Sequence, residues 1–103
     1  MIKNPEDCGS MAEVRAGVDE VDAALVRLLV RRFGYMAAAA GIKAERGMVR
    51  DEARKAQVIA NVGRLASEAG LPVGLVPALW EMLVETSIAY ELALFDERPD
   101  RAA

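Results

Sequence analysis

Four cationic side chains stand on helical stretches of this sequence at positions that should be apolar: Arg15, Arg32, Lys43 and Arg54. An unpaired buried cation is costly, so a small helical domain keeps its core stripe free of charge. Several cations turned inward imply an anion that arrives from outside the chain. A compact ligand with more than one carboxylate suits the set. Arginine forks match planar carboxylates, whereas Lys43 supplies a compact point charge. The chain has no histidine, which removes the commonest general acid and base near neutral pH. The chemistry expected here is electrostatic holding of an anion, with no proton shuttle.

Such side chains need helices to aim them. From Met11 to about Arg46, Val14, Val18, Val21, Leu25, Leu28, Leu29 and Met36 recur at spacings of three and four. Ser10 is the candidate N-cap. A turn at Gly47–Val49 precedes Asp51, which is placed to cap a second helix that runs to about Ala69 and stops at Gly70. After GLPVG, a third helix is expected from near Leu75 to about Glu97, with Pro77 tolerated in its first turn. Residues 1–10 read as an irregular arm and 98–103 as a tail. The expectation is a single all-α domain over 1–103, a three-helix protomer with one long N-terminal helix. A hydrophobic share of 53% with only 5% aromatics fits helices packed closely through Leu, Val, Ile, Met and Ala, and hints at an additional buried face.

Helix geometry sets which groups can share a ligand. Arg32 and Lys43 are eleven residues apart, three turns and about 16 Å of rise, so they share one face. Arg15 lies seventeen residues before Arg32, about 25 Å along the axis, beyond reach of the same ligand on a straight helix. The first helix would be about 50 Å long, whereas a compact chain of 103 residues has a radius of gyration near ~13 Å. Both observations point to an intertwined homodimer in which Arg15 crosses to the other subunit. Arg54 falls on the face of Val58, Val62 and Leu65, and on the third helix Ser87 and Glu91 interrupt the ladder Leu79, Leu83, Phe95. Polar groups on such a stripe need partners.

The bulk numbers narrow the classes. A net charge of −3 and a pI of about 5.0 argue against nucleic acid as partner. A single cysteine, Cys8, and no histidine leave no usual zinc site, no intrachain disulfide and no expected cofactor. The opening MIKNPEDCGS lacks the apolar core of a signal peptide, and no apolar run has the length of a membrane span. A cytoplasmic setting without membrane attachment is expected.

The run VRAGVDEVDAALVRLLVRRFGYMAAAAGIKAERG, followed by VRDEARKAQVI and ETSIAYE, resembles the AroQ-type chorismate mutases. Together with NPEDCGSMAEVR it looks closest to the branch that contains the isochorismate pyruvate lyases. The resemblance runs from about Pro5 to Phe95 and is carried by R…D..D……RR……K combined with VRD..R. It implies an interlaced homodimer with two active sites, each receiving an arginine from the other subunit. Arg15 matches that arginine, Arg32 and Arg54 match those that bind the substrate's two carboxylates, and Lys43 matches a lysine on a carboxylate and the ether oxygen. Asp51 matches an acid beside the substrate's hydroxyl, and Ser87 a serine on a carboxylate. Lys43, Glu91 and Arg32 become the candidate catalytic groups.

The implied reaction is the [3,3] rearrangement of chorismate to prephenate, which breaks a C–O bond, forms a C–C bond and needs no covalent enzyme intermediate. Holding the reactive conformer and facing cations to the ether oxygen suffice to accelerate it. Two positions depart from the pattern. Glu91 stands where many members carry a glutamine donor, and a glutamate donates only when protonated. Lys55 replaces a glutamate that binds the ring hydroxyl, which leaves it to turn outward or to donate through its ammonium. An alternative reading is elimination of pyruvate from isochorismate to give salicylate. A second is a non-catalytic helical dimer that binds a metabolite or a partner enzyme.

Overall fold

The computed structural model describes residues 2–99. It is all-helical: α1 (Met11–Ile42), α2 (Glu52–Glu68) and α3 (Leu75–Asp96), with single 3-10 turns at Pro5–Asp7 and Arg46–Met48. No strand occurs among the described residues, and the expected arm and tail extend at Met1 and at 100–103 outside them. The chain divides into two compact units, Met1–Gly34 and Tyr35–Ala103, with the boundary inside α1.

In the first unit the start of α1 is fixed as Ser10 suggested. The Glu13 backbone N–H donates to Ser10 Oγ at 3.2 Å, and Glu13 Oε1 accepts from the Gly9 N–H at 2.9 Å. This nearly reciprocal cap satisfies donors that the first helical turn leaves orphaned. Lys3 pairs with the Glu13 carboxylate and, with the Gly9 N–H, holds its pKa below the usual value. The arm lies along the first turns of α1 and leaves an apolar groove of about 460 Å³ against Val14, Val18 and Val21. The apolar stripe of α1 is open in the single chain: Val21 is 57% exposed and Leu28 61%.

In the second unit α2 and α3 form a helical hairpin. Asp51 caps α2, its carboxylate accepting from the Arg54 N–H at 2.9 Å. α2 ends in a Schellman motif in which the Leu71 N–H reaches the Ala66 carbonyl and the Gly70 N–H the Ser67 carbonyl. That turn needs Gly70 at φ 75, a left-handed conformation that glycine adopts without strain. The core gathers Ala40, Val49, Val84, Ile88 and Phe95, with Val58, Trp80 and Leu92 packed against it. Phe95 is fully buried. α1 stops at Ile42, short of the expected Arg46, because the chain turns there onto the end of α3. The α3 ladder also begins later than its spacing suggested: Leu79 is half exposed, while Ser87, Glu91 and Phe95 are buried.

Candidate active site

The buried polar pair on α3 finds its partner at the end of α1. Ser87 and Glu91, one turn apart, are only 3% and 4% exposed. Lys43 Nζ lies 2.6 Å from Glu91 Oε2. A charge-assisted hydrogen bond is short and strong, and here it joins a partly exposed ammonium to a buried carboxylate. The Lys43 side chain keeps about a quarter of its surface open, against one twentieth for Glu91. Ser87 Oγ donates to the Leu83 carbonyl at 2.7 Å, a bond along its own helix. Lys43 and Glu91 are thus paired, and Ser87 is buried one turn before Glu91. In this arrangement Glu91 accepts, so a donor role toward a ligand requires a proton that the ion pair does not display.

Asp51 and Arg54 meet at the start of α2, but not as inward-facing groups. Both are exposed, and Arg54 Nη1 donates to Gln57 Oε1 at 2.7 Å on its own helix. The expectation that Arg54 lies on a buried stripe is corrected here. The residue of α2 that crosses to α3 is its neighbour, Lys55. Its ammonium donates to Glu81 Oε1 at 2.6 Å and Glu85 Oε2 at 2.9 Å, with the side chain only 17% exposed. Lys55 does not turn outward, because its ammonium is paired with two carboxylates of α3.

Glu85 also takes a bidentate bond from Arg50, at 2.7 and 3.1 Å. First Arg50 and then Lys55 hold the Glu85 carboxyl down to about 2, and the same contacts raise the pKa of both cations. The residues on either side of the Asp51–Arg54 segment are therefore both tied to one carboxylate. Sequence reading did not single out Glu85. Its signal was the pair Glu81 and Glu85, one turn apart on α3, opposite two cations that flank a helix cap. A second tie lies beyond Lys43, where Arg46 grips both oxygens of Asp96 at 2.9 and 3.3 Å.

The remaining two candidates belong to the first unit. Arg32 is half-buried on α1, and Arg15 is exposed near the start of the same helix. The exposure of Arg15 concerns the single chain, whereas the expectation placed this residue in the site of a second subunit. Among the described residues there is no cluster of His, Cys, Asp and Glu able to hold a metal, and no helix is long and apolar enough to cross a membrane.

Comparison with known proteins shows the family. The sequence model of chorismate mutase type II matches residues 14–92, a span that includes every candidate site residue. The chain is similar to an isochorismate pyruvate lyase of Pseudomonas aeruginosa, 32% identical over 91 residues that cover 88% of this chain and 90% of that protein. With its three helices and a family match over most of its length, this chain belongs to the type II chorismate mutase family.

Proposed function

We propose that the protein is a chorismate mutase that converts chorismate to prephenate within a homodimer. The observation that carries this reading is the Lys43–Glu91 pair beside buried Ser87 in a chain of this family. Lys43 faces the ether oxygen as the C–O bond breaks, where negative charge develops, and stabilises the transition state more than the ground state. Arg32 and Arg54 bind the two carboxylates and hold the enolpyruvyl side chain over the ring. Asp51 accepts from the ring hydroxyl, and Ser87 donates to a carboxylate once its bond to the helix backbone is exchanged. The partner's Arg15 completes the site, and the open stripe of α1 is the surface that the second copy covers.

A second reading has an observation of its own. The relative at 32% identity bears the name isochorismate pyruvate lyase, and Lys55 stands in place of the family's usual glutamate. The same cations would then assist elimination of pyruvate from isochorismate. Paired assays separate the two: chorismate consumption with prephenate identified, and isochorismate consumption with salicylate identified. Prephenate formation abolished by Arg32→Ala supports the mutase. Efficient salicylate formation with only slow prephenate formation makes the protein a lyase.

A further inference from the structure

Lys43 is held at both ends, by α3 and by the segment that follows it. Its ammonium meets Glu91, and its backbone carbonyl accepts from Arg98 Nη1 at 2.6 Å. The same Arg98 nitrogen donates to the Ala40 carbonyl at 3.0 Å. These carbonyls belong to the end of α1, where the last turn has no intrahelical donors left. Arg98 is itself anchored: its guanidinium carbon sits 4.5 Å from the centroid of the fully buried Phe95 ring, and its N–H donates to the Phe95 carbonyl at 3.2 Å. Three residues beyond Lys43, the Arg46–Asp96 pair fastens the following turn to the same end of α3.

We infer that Arg98 is a positioning residue for Lys43, fixing the end of α1 so that the ammonium is delivered to one place. It does so from the far side of the peptide backbone, through the Lys43 carbonyl. The role deepens the catalytic reading above and rests on it for its effect on rate. An ammonium at the end of four methylenes has many rotamers, and a site that uses it as a point charge needs its backbone root fixed. Arginine suits the task because one planar fork can bridge two carbonyls while stacking on a ring.

The test combines a structural and a kinetic readout on the full chain. In Arg98→Ala the 15Nζ resonance of Lys43 shifts or broadens, and kcat falls about 10- to 100-fold with KM changed less than about twofold. Arg98→Lys, which keeps the charge and stem, gives an intermediate loss and guards against simple unfolding. On a Lys43→Ala background, Arg98→Ala causes no further loss in kcat, since the two act through one group. An unmoved Lys43 resonance overturns the inference, as does a loss that multiplies with that of Lys43→Ala. If the wild-type chain turns over neither chorismate nor isochorismate, the catalytic reading fails, and the resonance alone decides whether Arg98 places Lys43.

Discussion

Two stretches of α1 differ in the cover their own chain gives them. Between Val14 and Val30 the apolar residues remain exposed, Leu28 at 61% and Val30 at 69%. At the end of the same helix Ala40 is buried at 2% against Phe95, Ile88 and Val49. The first meets only the N-terminal arm near its start, whereas the second is packed into the core. A helical stripe is thus a demand for a partner, and the sequence states the demand without stating whether the partner is in the same chain. The chemistry divides in the same way. Lys43 finds Glu91 within its unit, whereas Arg15 stays exposed in its own.

The sharpest way to break that contrast is to remove bulk from each stretch. Phe95→Ala should cost about 3–5 kcal/mol in urea denaturation, because the ring is fully buried. Leu28→Ala should change stability by no more than about 0.5 kcal/mol if its stretch works exposed to water. If a second copy covers it, the loss should reach about 2–5 kcal/mol and depend on protein concentration. Next in size is Lys43→Ala, for which kcat should fall about 10²- to 10³-fold, as for removal of one donor from a site of developing negative charge. An effect on KM alone would make Lys43 a binding group.

A smaller effect tests what Glu91 does inside the pair. If it donates to the ether oxygen, Glu91→Gln keeps kcat within about threefold of the parent, because an amide donates in its place. A large loss in Glu91→Gln leaves Glu91 as the acceptor seen in the structure, with the donor role on Lys43.

The smallest expected effect concerns the Arg50–Glu85–Lys55 web. Glu85 has a folded pKa of about 2, below its ordinary 4.5. Its contribution to stability is therefore present above about 4.5 and is lost as pH falls through about 2. The melting temperature of Glu85→Gln should lie below the parent's at pH 6 and converge with it toward pH 2. These side chains are substantially exposed, so the gap should be modest and should narrow in high salt.

Much of the fold was legible in the sequence because helices announce themselves locally. Ser10, Asp51, Gly70 and the three-and-four spacing fixed the elements to within a few residues, since caps and periodicity act over one or two turns. The end of α1 was less legible: a carbonyl of its last turn is bonded by Arg98, more than fifty residues away in sequence. In the site, the spacing on α3 showed that Glu91 needs a partner but not which one, and the structure pairs it with Lys43. The web around Glu85 was not legible, because a surface ion pair between helices has no period and any of several acids could have served. Arg54 is exposed in the single chain, where the first turn of α2 rests on α3 through its neighbour Lys55.

The central claim, that this chain makes a catalytic site only with a second copy of itself, is tested most directly by mixing two inactive variants. Arg15→Ala and Arg32→Ala should each lose activity as pure proteins. Unfolded and refolded together at equal amounts, they should recover about a quarter of the parent activity, because half of the dimers are mixed and each mixed dimer holds one intact site. Recovery at that level would establish that the site is shared between subunits. No recovery from a mixture shown to contain mixed dimers would contradict the account and place Arg15 outside the catalytic site.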